Sequence, residues 1–180
     1  MRKILILIVI LSLVTATACS KTIDGDSVDN SNKEIENTDV PLNTDNRTEL
    51  ADVYILALDS LMPIDEGLNG DMEYIAIETQ TLENATESDK KAVLEYFKKY
   101  DVKIMDESFE TLKAKGMVKD LNSLDGLLLR IVKVDKISDN EIIIECSKFR
   151  SGLGAVGVKC VLKKENDKWI VSSSQLTWIS

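Results

Sequence analysis

A chain of 180 residues with 31 acidic and 22 basic side chains has a formal charge of −9, and no dense basic stripe with interleaved aromatics occurs in it, which excludes nucleic acid as a partner. It contains no histidine, so the commonest general base, zinc ligand and triad member is missing. None of its cysteines forms a CxxC pair, and no motif implies a cofactor or a metal.

Met1-Arg-Lys leads into an apolar run, Ile4 to Leu11, that continues past Ser12 to Val14. A short charged head and an apolar stretch too short to stay in a bilayer read as an export signal. The run ends in Ala16-Thr-Ala-Cys19-Ser20, small residues before a cysteine, and this resembles a bacterial lipobox. Ala16, where leucine is usual, is a mild departure. The resemblance implies cleavage before Cys19 and diacylglycerol on its sulfur. The chain would then be anchored by lipid on the extracytoplasmic face of the cell membrane; the alternative is an ordinary cleaved signal. Residues 1–18 are thus assigned to the signal and 19–47 to a disordered acidic tether, in which no apolar period appears. Residues 48–180 are expected to form one α+β domain.

Thr48 is placed to cap a first helix whose stripe is Leu50, Val53, Tyr54, Ala57, Leu58 and Leu61, with Pro63 ending it. The loop Asp65-Glu-Gly-Leu-Asn-Gly follows; its acids superficially suggest calcium, but the spacing is not that of an EF-hand. Tyr74-Ile-Ala-Ile reads as a short strand, Ser88 to Tyr100 as a second helix and Val102 to Met105 as an extended segment. Asp106 to Gly116 reads as a third helix with acids at its start and a glycine stop. Four strands are expected after it, about Gly126 to Lys136, Glu141 to Phe149, Ala155 to Lys164 and Lys168 to Trp178. Helices first, then a four-stranded antiparallel meander, point to helices packed on a curved sheet, a cystatin-like or nuclear-transport-factor-like cone. The runner-up is a flatter two-layer sandwich.

The hairpin between the second and third of these strands carries the candidate site. Ile142, Ile144 and Cys146 share a face, as do Val156, Val158, Cys160 and Leu162. Pairing Cys146 with Cys160 and Ile144 with Leu162 puts both apolar sets on one side. It leaves a loop of three or five residues within Ser151 to Ala155, with Gly152 and Gly154 free to take positive φ. Cys146 and Cys160 would then be disulfide neighbours, or two reduced core residues. Lys148 and Arg150 continue the inward face to a cone mouth beside Ser151, Gly152 and Gly154, where Trp178 could also lie. There they would either receive an anionic group or serve as snorkelling residues at the sheet end.

Ser147-Lys-Phe-Arg-Ser-Gly-Leu-Gly-Ala-Val-Gly157, the ending Thr177-Trp-Ile-Ser180 and the loop Asp65-Glu-Gly-Leu-Asn69 resemble a family of small lipoproteins of Gram-positive bacteria. That resemblance implies an envelope location and an α+β fold but no activity. The expected function is that of a lipoprotein binding a small anionic ligand or an envelope protein. The alternatives are a non-catalytic structural or protective surface module and, behind it, a hydrolase using carboxylates.

Overall fold

A computed structural model describes residues 48–180, all of which fall within one compact unit, Val40–Ser180. The expected export signal, the expected lipid attachment at Cys19 and the expected tether lie outside the described residues.

The core is a six-stranded mixed sheet in the order β2-β1-β3-β4-β5-β6. Its strands are β1 (Tyr74–Ile77), β2 (Lys103–Asp106), β3 (Leu127–Ser138), β4 (Glu141–Ser151), β5 (Gly154–Glu165) and β6 (Lys168–Ile179). β1 runs parallel to both β2 and β3, whereas β3 to β6 form an antiparallel meander. Three short helices complete the fold: α1 (Glu49–Asp59), α2 (Glu87–Phe97) and α3 (Phe109–Ala114).

This corrects the expected cone. The meander is present, but it is only part of the sheet, because β1 and β2 extend it in parallel beyond β3. A parallel pair needs a crossover, and α2 supplies it between β1 and β2. The helices also do not share one face, which rules out the two-layer alternative. Ile75, Ile77, Leu127, Leu129, Ile131, Ile144, Cys146, Val158 and Cys160 pack with α1 and α2 in the larger core. Tyr74, Ala76, Leu128 and the α3 residue Leu112 form a second, smaller core on the opposite face. The consecutive run Leu127-Leu-Leu129 is therefore buried throughout, as a strand covered on both sides should be.

Local signals account for the helix starts. Thr48 caps α1 by accepting from the Ala51 N–H at 3.3 Å. Thr86 and Asp89 form a capping box at the head of α2. Asp89 also accepts from the Thr48 hydroxyl at 2.5 Å, which ties the two helix heads together. At the other end of α1, Asp59 accepts from the hydroxyls of Tyr96 and Tyr100 and from the Lys99 ammonium, binding α1 to α2. Gly116 ends the turn after α3 at φ 70°, the left-handed conformation that favours glycine.

In the β4–β5 hairpin the faces are as expected but the register is not. Cys146 lies opposite Val158 and Cys160 opposite Ile144, a shift of two residues, which leaves every side chain on its face. Ser151 pairs with Gly154, so the loop shrinks to Gly152-Leu153, and Arg150 is the extra residue of a bulge. Cys146 and Cys160 are consequently diagonal rather than opposed, and both thiols are free and buried. Neither Gly152 nor Gly154 takes a left-handed φ; their small size is what matters. A Cβ on Gly152 would stand 3.0 Å from the Leu121 carbonyl oxygen, and one on Gly154 would stand 3.1 Å from Leu68 Cδ2.

Candidate functional site

Lys148 points to the inward face, as expected, but no mouth opens there. The side chain is fully buried. Its Nζ donates to the carbonyl of Ile64 at 2.6 Å, Asn69 Oδ1 at 2.8 Å, the Asp65 carbonyl at 3.2 Å and the Met62 carbonyl at 3.4 Å. An ammonium has three N–H donors, so this cage uses all of them. Burial pushes its pKa down to about 8, with Asp65 and Glu66 pulling the other way. Arg150, freed from the ladder by its bulge, donates through Nη1 to the carbonyls of Gly70 at 2.6 Å and Leu68 at 2.8 Å. The two cations thus fasten the irregular 62–70 segment to the sheet, sharing the Asp65 carbonyl with the Leu68 N–H and the Met62 carbonyl with Asn69 Nδ2. Ser151 is a turn residue, its hydroxyl accepting from the Leu153 N–H at 3.3 Å. Among the described residues, none of these groups lines the cavities beside α3, α2 or α1.

Trp178 lies elsewhere. In β6 a bulge at Thr177 pairs Trp178 with Gly157 and Leu176 with Val158, which turns the indole to the α3 face, away from Lys148. The fit is close: a Cβ on Gly157 would stand 2.0 Å from the indole Nε1. Glycine here is a shelf on which the ring lies. The expected site set is therefore divided, with Lys148 and Arg150 on one side as structural clamps and Trp178 on the other.

Beside that indole is a cavity of about 330 Å³. Its apolar walls are Phe109 at the head of α3, Leu128, Phe149 and Trp178; its polar groups are Arg130, Ser147, Glu110 and Asn122. Phe109 and Phe149 meet edge to face, with ring centroids 5.5 Å apart, which fixes one wall. Arg130 Nε donates to Ser147 Oγ at 3.3 Å. Arg130 is exposed and, among the described residues, has no carboxylate partner. Asn122 sits at the rim with left-handed backbone, φ 56°, after Leu121 at φ 57°, a costly pair for non-glycine residues. The arrangement offers flat apolar surfaces and a guanidinium with unused donors. Among the described residues no cluster of three or more acidic or thiol groups is placed to hold a metal ion.

Sequence reading missed Arg130, Phe109, Phe149 and Gly157. A signal for the last was present, since an isolated glycine within the Val156–Val158 strand marks a close approach. The others converge only once α3 is folded onto the second face. The chain matches no family model, no curated protein and no solved structure.

Proposed function

We propose that the protein is a lipid-anchored, extracytoplasmic binding module whose ligand site is the cleft between α3 and the end of β6. The observation that carries this reading is the Trp178 indole laid over Gly157 beside Arg130, whose guanidinium has no carboxylate partner among the described residues. A cavity of about 330 Å³ lies at the small end of the ~300–1,000 Å³ range of ligand sites. Apolar walls with a few convergent polar groups are the usual composition of such sites. The ligand class is a small molecule or chain end that joins a ring or branched apolar group to an anionic group. The apolar part lies against Trp178, Phe109 and Phe149, and the anion meets Arg130. Glu110 and Asn122 at the rim select for hydroxyl or amine donors.

Anchoring rests on Cys19 and the residues around it. Among the described residues no helix is long and apolar enough to cross a membrane. Radiolabelled palmitate should enter the chain in the cell envelope and be lost in Cys19→Ser; equal labelling of the variant would sink the anchor.

The site is tested by melting the protein with anionic glycans, short peptides and phosphates typical of envelopes, beside Arg130→Ala and Trp178→Ala. A ligand at a hundred times its Kd should stabilise the domain by about 2.7 kcal/mol, a shift of several degrees. A shift that survives both substitutions would remove the cleft from consideration.

A further inference from the structure

We infer that the protein pairs with a second copy of itself through the open edge of β6, in an antiparallel two-fold contact centred on Ser174. β6 is the last strand of the sheet, with β5 on one side only. Nearly its whole length is exposed. Of nine exposed large apolar side chains among the described residues, five are on this strand: Ile170, Val171, Leu176, Trp178 and Ile179. An open edge presents unpaired N–H and C=O groups, and proteins usually guard it with charge, proline or bulges, of which β6 has the bulges at Ser172 and Thr177. From Trp169 to Ser180 there is no charged side chain and no proline, in a chain whose formal charge is −9. Two copies of so acidic a protein repel over most of their surface; the uncharged edge is where they can approach.

The pattern of the strand selects a second copy over an unrelated strand. Trp169-Ile-Val171 and Leu176-Thr-Trp-Ile179 flank a central Ser172-Ser-Ser-Gln175. The pairing with β5 places Trp169, Val171, Ser174, Leu176 and Ile179 on the α1 face of the sheet, and Ile170, Ser173, Gln175 and Trp178 on the α3 face. A two-fold axis at Ser174 sets Trp169 against Ile179, Ile170 against Trp178 and Ser173 against Gln175. Each of these pairs joins residues on the same face, as a continuous sheet requires. Moving the axis to Ser173 would oppose Ile170 and Leu176 from opposite faces. The favoured register brings aromatic and β-branched side chains together at both ends, a stabilising cross-strand combination. An isologous contact of this kind is self-complementary and closed, so it yields a dimer and not a fibre. It also sets Ile170 of the second copy beside Trp178, extending the apolar wall of the cleft.

The test uses the full chain in the membranes of an expressing bacterium, treated with a short bismaleimide and read on denaturing gels. Ser174→Cys is expected to give a dimer band absent from the unsubstituted chain, because that position faces itself across the axis. Leu153→Cys, at the equally exposed hairpin tip, should give far less. Ser174→Lys, which puts two ammonium groups together at the axis, should abolish the dimer in sedimentation of the detergent-purified protein while leaving its circular dichroism unchanged. No Ser174→Cys band above the unsubstituted chain, or equal bands at both positions, would overturn the inference. So would a Ser174→Lys protein that sediments as the unsubstituted one does. These readouts need no ligand, so they succeed or fail separately from the binding site proposed for the cleft.

Discussion

Gly157 and Trp178 are one structural unit: the strand register sets them opposite each other, and the indole occupies the space a glycine side chain leaves empty. The two residues lie in separate sequence segments, the hairpin and the chain end, and their contact makes the wall of the cleft. Gly157→Ala places a methyl carbon 2.0 Å from Nε1, so the ring must swing out. Displacement of a half-exposed ring costs about 1–3 kcal/mol of stability. The emission of Trp178 should shift to the red, measured against a Trp169→Phe background, and any cleft ligand should weaken. Unchanged emission would mean that the indole does not rest on the strand.

Lys148 should contribute a stability that rises with pH. Its pKa falls from 10.5 to about 8 on folding, chiefly through burial. Between those values the unfolded chain holds more protons at this side chain than the folded one, so unfolding free energy increases with pH across the window. Below about pH 8 the full cost of the buried charge is present. Lys148→Met takes the ammonium donor from the Ile64 carbonyl and Asn69 Oδ1 and should lower stability by about 1–3 kcal/mol at pH 7. The buried thiols and tyrosines titrate in the same range and pull the other way, so the test is the difference: in urea titrations the unsubstituted chain should gain stability relative to the variant between pH 7 and pH 10. A difference that stays constant or reverses would mean that the Lys148 pKa is not lowered on folding.

Asp89 behaves in the opposite sense. Burial raises its pKa, but hydrogen bonds from the Thr48 and Thr86 hydroxyls and the Thr86 N–H outweigh that and hold the carboxyl below 3.8. Its contribution is therefore complete above the unfolded pKa and lost as pH falls through the lower folded value. Asp89→Ala should cost about 1–3 kcal/mol at pH 7, with the deficit narrowing in acid. A deficit independent of pH in urea melts would assign the loss to packing instead.

Cys146 and Cys160 should be inert. Burial pushes both thiols above their ordinary pKa, and both are at most 1% exposed, so neither thiolate forms readily at neutral pH. In a Cys19→Ser chain a colorimetric thiol reagent should react with neither cysteine until urea unfolds the protein. Reductant should leave the melting temperature unchanged. A fall in melting temperature with reductant would reveal a disulfide that the register disfavours.

Elements governed by local chemistry were legible in the residues alone. The Thr48 cap, the glycine stop at Gly116 and the alternation of Ile142 to Cys146 each depend on neighbours a few residues away. The face assignment of the hairpin was legible for the same reason, because side-chain period survives a slip of two residues. The register was not, since Arg150 leaves the ladder to reach the carbonyls of Leu68 and Gly70, some 80 residues distant in the chain. Nor was the parallel half of the sheet: β1 and β2 span four residues each, and β1 pairs where β3 presents both its faces for burial, with β2 added outside β1. The site depended most on tertiary structure. Lys148 had the inward direction expected of it, but the 62–70 segment closed over it and supplied its partners. Trp178, beyond two bulges in β6 at Ser172 and Thr177, falls on the other face, where α3 brought Phe109 and β3 brought Arg130 to meet it. Local periodicity fixes which way a side chain points; which cavity it reaches is decided by the packing of distant segments.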